Sequence, residues 1–258
     1  MKRINSNKPE KLFEDEDLVI INKPPGMLTI PDRFNKDIPN LYIQFQQEYG
    51  EIFIVHRLDR GTSGIMVFAK NAETHRYLNI DFQNHNVKKV YHCVCSGMLE
   101  KDEMDIDIPI LPNPQKSGLS MPSARGKEAL TKIKVIEHFR IATLVECNLI
   151  TGRHHQIRVH LSAIGHPLFT DELYGRQSEF FLSTIKKKYH IKKDKPELPI
   201  IARVSMHSHS LGFKHPRTQQ EVAFEADYPK DFKALLQSLA KYSAIPAFLK
   251  PDFDFRNI

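Results

Sequence analysis

The stretch VHRLDRGTSGIMVFAK, residues 55–70, decides how this chain is read. An apolar run stops at a charged cluster, turns through Gly61 and Gly64, and resumes as a second apolar run. Two strands flanking a tight turn are the direct reading, with EIFIVHRLD (51–59) on one side and GIMVFAK (64–70) on the other. The turn carries an aspartate, two arginines and two hydroxyls. One reading is a decorated hairpin, because Asp, Ser and Thr readily bond their own backbone in turns. The other is a catalytic carboxylate, Asp59, with glycines letting a ligand approach the main chain.

Working outward, DLVIINKPPGML (17–28) is a short strand ended by Pro24, Pro25 and Gly26. AETHRYLNIDFQNHNV (72–87) reads as a helix, with Tyr77, Ile80 and Phe82 forming a rough apolar stripe. KKVYHCVCSG (88–97) is strand-like and puts Tyr91, Cys93 and Cys95 on one face. Residues 101–127, rich in Pro, Ser, Gly and Lys, read as loops or a ragged edge. EALTKIKVIEHF (128–139) and IATLVECNLI (141–150) read as an antiparallel pair. In TGRHHQIRVHLSAIGHPL (151–168), Ile157, Leu161 and Ile164 recur at helical spacing, Gly165 supplies the stop and Thr151 a candidate cap. A strand (HSHSLGF, 207–213), a turn and a helix (KDFKALLQSLAKY, 230–242) follow. Interleaved helices with sequence-adjacent strand pairs favour a mixed α+β fold over a doubly wound sheet.

At 258 residues the chain can build a core without staples. A formal net charge of +6 leans toward a polyanionic partner. Three cysteines without a C-x-x-C pair argue against a disulfide framework and a zinc site. No signal-peptide core or membrane-length apolar run is present, so a reducing cytoplasm is expected. Nucleophile-elbow, phosphate-loop, dinucleotide and H-E-x-x-H spacings are all missing. Any chemistry must then come from side chains, and a carboxylate nucleophile is one of few ways to supply it. Arg153, His154, Arg158 and His160 crowd one short segment, as a solvated basic face or as the charge that keeps a carboxylate ionised.

Five segments, in order, resemble the RluA-type family of RNA pseudouridine synthases. They are NKPPGM (22–27), HRLDRGTSG (56–64), KKVYHCVCSG (88–97), TGRHHQIRVHLSAIGHPLFTDELYG (151–175) and MHSHSLGFKHPRT (206–218). The resemblance implies a pseudouridine synthase fold: a mixed, largely antiparallel sheet flanked by helices and loops, with the catalytic cleft across the sheet. It implies a redox-neutral isomerisation of uridine in RNA that needs no cofactor and no metal. The N1–C1′ bond breaks, the uracil turns while bound, and C5 joins C1′.

By the same resemblance Asp59 is the catalytic aspartate, Arg158 the arginine that pairs with it, and Tyr91 the aromatic that stacks on the uracil. Leu211 packs against the base and Arg57 enters the gap left by the flipped nucleotide. His56, Arg60 and Thr62 of the signature complete the expected substrate contacts. From the residues alone, Tyr91 and Leu211 read equally as strand-core side chains, and Arg57 as a phosphate contact.

The chain is expected to be one catalytic domain over 1–258, with its core at about 12–230. The first motif begins too early to leave room for the S4-type RNA-binding module that many family members carry. Ribosomal RNA of the 23S type is the expected substrate, with transfer RNA or both as the alternative. A monomer without an obligatory protein partner or membrane attachment is expected. The basic run Lys186, Lys187, Lys188, Lys192 and Lys193 offers phosphate contacts or simply a solvated face. Thr170 departs from a usual glycine, with Asp171 expected to cap the local turn. The rivals from other classes are an RNA-binding protein that has lost catalysis, and a glycoside-type hydrolase. The latter needs a second carboxylate ~5–10 Å away, which no motif supplies.

Overall fold

The computed structural model describes residues 8–190 and 196–246; Lys192 and Lys193 of the basic run lie outside them. In chain order the elements are β1 (Glu10–Glu14), β2 (Leu18–Lys23), α1 (Leu41–Tyr49), β3 (Phe53–Ile54), β4 (Ser63–Ala69), α2 (Ala72–Gln83) and β5 (Lys88–Ser96). Then come β6 (Glu103–Asp107), β7 (Ile110–Pro112), β8 (Ser120–Pro122), β9 (Leu130–His138), β10 (Ala142–Leu149) and α3 (Gln156–Ala163). The last are β11 (Met206–Lys214), β12 (Glu221–Glu225) and α4 (Lys230–Tyr242). The fold is mixed α+β, built on a large, mostly antiparallel sheet, as expected. Two compact units divide the chain: 1–91 with 207–229, and 92–206 with 230–258.

In the first unit β4 is the central strand and is buried along its whole length. One edge pairs antiparallel with β2, from Leu18↔Ala69 to Lys23↔Gly64. The other edge is shared by β3 at Phe68 and Ala69 and by β11, in parallel, at Ser63 and Gly64. A strand covered on both faces reads as a continuous apolar run, which is why IMVF shows no alternation. The core joins Leu18, Ile20, Ile65, Val67, Leu78, Leu211 and Phe213. Of the expected α2 stripe, Tyr77 and Phe82 pack against this core, whereas Ile80 is half exposed and the fully buried positions are Thr74 and Leu78. Asn71 starts this helix by accepting the Thr74 amide.

In the second unit β9 pairs antiparallel with both β10 and β6. The segment read as ragged loops thus holds three short strands, β6, β7 and β8. Lys132 and Lys134 of β9 meet Asp105 and Glu103 of β6 across the ladder, a pairing that local pattern alone does not reveal. Cys93, Cys95 and Cys147 are all buried, as small strand residues would be, and burial pushes the Cys95 thiol up to about 12. In α4, Phe232, Leu235 and Leu239 turn one face inward.

Candidate active site

Asp59 sits half-buried in the loop between β3 and β4. The strand expected over 51–59 stops at Ile54, and a histidine explains why. His56 Nε2 accepts the Val67 amide (3.2 Å), taking the β4 ladder position that a β3 carbonyl would occupy next. Its ring stacks on Phe82 with centroids 5.0 Å apart. Although the ring keeps some surface, close packing and then the nearby Lys89 ammonium lower its pKa to about 3. His56 is therefore a neutral, Nδ1-protonated fastener that releases the chain into the loop.

Three further ties shape the loop. The Lys23 side chain is fully buried, and its ammonium donates to the carbonyls of Pro24 (3.1 Å), Met27 (2.9 Å) and Arg60 (3.4 Å). Gly26 N donates to Arg60 O (2.8 Å), and Thr29 Oγ1 to Leu58 O (3.1 Å). The NKPPGM turn is thereby clamped onto the backbone around Asp59. Thr62 N closes the turn on Asp59 O (3.0 Å).

Where the loop re-enters β4, Gly64 has φ +115°, and a Cβ there would overlap the Ser208 backbone of β11. That close approach, together with the φ value, requires glycine. His207, fully buried, donates from Nε2 to Ala226 O and accepts the Ser63 hydroxyl at Nδ1 (2.9 Å).

The other expected residues of this unit separate into two groups. Arg57 and Arg60 are exposed, and Arg60 Nε reaches Gly26 O. Tyr91 is buried in β5 at 8 % exposure. Leu211 (1 %) is packed into the β2–β4 core, and Thr62 (1 %) has a buried hydroxyl with no hydrogen-bond partner among the described residues. Both side chains are buried.

In the second unit, Arg158 projects from α3. Its Nε and Nη2 form a two-pronged pair with Asp171 Oδ2 and Oδ1, both at 2.7 Å, and its guanidinium lies 4.9 Å from the Tyr174 ring centre. Burial alone would raise the Asp171 pKa. Arg158 outweighs that, helped by the Leu173 and Tyr174 amides, and holds the carboxyl below its usual range. Asp171 thus caps its turn as expected and also fixes Arg158 in place, a role the sequence did not signal.

The start of α3 departs from a side-chain cap. His155 takes the cap position in the left-handed region (φ 58°), while Thr151 instead accepts the Leu130 amide and donates to Gln156. His155 Nδ1 meets the Tyr174 hydroxyl (2.9 Å), which itself accepts Ser120 N–H. His154 stacks on His155, with centroids 3.7 Å apart. His160 is buried between Ile108 O and Thr131 Oγ1, so it belongs to the scaffold. Arg153 binds the Glu128 carbonyl.

Asp15, Asp17 and His215 come close enough to suggest a cation site. Their donor atoms are already engaged: Asp15 by the amides of residues 17 and 18 and by His215, Asp17 by the Arg217 fork. The cluster is an ion-pair knot that ties the β1–β2 turn to the β11–β12 turn.

Residues 17–163 match the family model described as RNA pseudouridylate synthase. The chain is 34% identical over 242 residues to ribosomal large subunit pseudouridine synthase D of Zymomonas mobilis, covering 89% of this chain and 72% of that one. It is also 34% identical, over 215 residues, to the dual-specificity RNA pseudouridine synthase RluA of Vibrio vulnificus, covering 81% and 79%. Among solved structures, Human RNA Pseudouridylate Synthase Domain Containing 4 superposes with a TM-score of 0.68 at 25% identity, covering 89% of this chain and 92% of that one. The five ordered segments, a family model spanning most of them and a shared fold converge: this chain is an RNA-modifying isomerase that belongs to the RNA pseudouridylate synthase family.

Proposed function

We propose that this chain converts uridine to pseudouridine in large-subunit ribosomal RNA, with Asp59 as the catalytic carboxylate and Tyr91 and Arg158 completing its chemistry. The observation that carries the reading is that the matched segment, 17–163, contains Asp59, Tyr91 and Arg158 together. The clamping of the Asp59 loop by Lys23, Gly64 and His56 supports it, because a reacting carboxylate gains from being held in one geometry. Ribosomal RNA is favoured by the large-subunit relatives of Zymomonas mobilis and Nitrosomonas europaea; the dual-specificity relative favours transfer RNA as the second reading.

In the reaction the N1–C1′ bond breaks, the uracil turns, and C5 bonds to C1′. The C5 proton is then released and N1 is protonated, so substrate and product are isomers. The target uridine must leave its stack first, and an aromatic side chain such as Tyr91 offsets part of that cost. Arg57 and Arg60, both exposed, are assigned to RNA phosphates. His56 serves as a fastener of the loop.

The reading is of one catalytic domain, acting as a monomer in the cytoplasm; no helix among the described residues is long and apolar enough to cross a membrane. The test is tritium release from RNA labelled at uridine C5, with unmodified ribosomal and transfer RNA in parallel. Release from ribosomal RNA, lost in Asp59→Asn, is expected. Release from transfer RNA alone would replace the substrate assignment, and release persisting in Asp59→Asn would remove Asp59 from the mechanism.

A further inference from the structure

We propose that Phe34 is a stacking platform for an unpaired nucleobase of the RNA substrate, forming a subsite beside the Asp59 loop. The inference rests on the RNA-isomerase reading above. A single exposed apolar residue needs no explanation in itself. Phe34, however, is 92 % exposed, and it sits on a loop that is built rather than slack.

Loop 30–39 is closed at its base by the Leu28↔Asn40 bridge, by Leu41 N donating to Leu28 O (2.9 Å) and by Tyr42 N donating to Thr29 O (3.0 Å). That base is pinned to the catalytic loop through Thr29 Oγ1 and Leu58 O, one residue from Asp59. Its apex is shaped by Asp32, whose Oδ1 accepts the amides of Phe34 and Asn35 at 2.9 Å each. Asn35 in turn accepts the Asp37 amide. Compact loops with joined ends and internal ties are frequently functional. Phe34 lies five positions beyond Thr29, a reach of at most about 18 Å. That places the ring within a few nucleotides of a uridine held at Asp59.

Charge decides the kind of contact. Within the loop Arg33 and Lys36 are balanced by Asp32 and Asp37, and the positive surplus lies on the neighbouring Arg57 and Arg60. The Asn35 and Phe34 amides chiefly lower the Asp32 pKa, and Arg60 is near enough to add to the shift. Phosphate attraction therefore belongs to the arginines, and what Phe34 adds is an aromatic face. Every base has a π-face, so such a platform tolerates different sequences.

The test measures RNA affinity and tritium release for Phe34→Ala, Phe34→Leu and Phe34→Trp, on an unmodified ribosomal RNA transcript across a salt series. Phe34→Ala and Phe34→Leu are expected to raise Kd about 10-fold, within the range of one lost stacking contact, with the loss falling on KM more than kcat. Phe34→Trp restores affinity. The slope of log Kd against log salt stays that of wild type in all three, whereas Arg60→Ala makes it shallower by about one phosphate.

Wild-type affinity in Phe34→Ala, or Leu restoring binding as well as Trp, overturns the subsite while wild-type turnover keeps the family reading. Failure of the wild type to bind or modify either RNA overturns both. A change of sedimentation in Phe34→Ala with unaltered RNA binding would assign the ring to contact between copies and also overturn the subsite.

Discussion

The Asp59 loop and the start of α3 are held in place by different means. Around Asp59 the ties run mostly to backbone: Lys23 binds three carbonyls, Thr29 binds Leu58 O, His56 takes the Val67 amide, and Gly64 lies against the Ser208 main chain. Around Arg158 they run between side chains, through the Asp171 fork and the Tyr174 ring and hydroxyl. A loop fixed through its backbone sets the position of the side chain it carries. A cation fixed through a carboxylate is oriented, and its local charge is partly neutralised, by the same contact. On the proposed reading of Asp59 the first arrangement suits a group that must react; the second holds Arg158 in one orientation.

This contrast can be broken by experiment. If the loop is held independently of the Asp59 carboxyl, Asp59→Asn should lower kcat by about 10³-fold or more while leaving RNA affinity and melting temperature near wild type. A large drop in stability would mean that the carboxyl itself holds the loop. Gly64→Ala should destabilise by about 4 kcal/mol or more in urea unfolding, because it forces both a disfavoured φ and an overlap with Ser208. Near-neutral behaviour would show that β4 and β11 can separate at little cost. Lys23→Met should cost about 3 kcal/mol, the price of leaving three inward carbonyls without their donor.

On the α3 side, Asp171→Asn should lose both stability, by about 2–3 kcal/mol, and turnover, since it leaves Arg158 without its counter-charge. The folded pKa of Asp171 lies below its ordinary 3.8, so its contribution is full above that pH and fades as pH falls below it. The acid limb of the stability profile below pH 4 should be shallower in the variant. A further pH prediction concerns His56. Its folded pKa of about 3 lies under the ordinary 6.5, so its stabilising contribution is complete above pH 6.5 and declines progressively toward pH 3. By NMR its ring resonances should not titrate near pH 6.5; a midpoint there would mean the ring is not enclosed.

What the sequence determined by itself was whatever local pattern encodes. The apolar runs of β2 and β4, the helices α2 and α4, the antiparallel β9–β10 pair and the ordered segments carrying Asp59, Tyr91 and Arg158 were all legible. Periodicity and turn chemistry act over a few residues, so they can be read without a partner. Tertiary structure alone decided the rest. Strands β6, β7 and β8 form because a neighbour offers ladder partners, and β3 ends early because a side chain two residues on takes the next amide. Nothing in NKPPGM announces that Lys23 is buried against carbonyls from position 60, nor in FTDEL that Asp171 grips Arg158. The burial of Leu211 and Thr62 was likewise decided by the fold, because the identity of a residue does not fix which face of its strand or turn meets solvent. Buried polar groups must find partners, and those partners are supplied by the fold from distant positions in the chain.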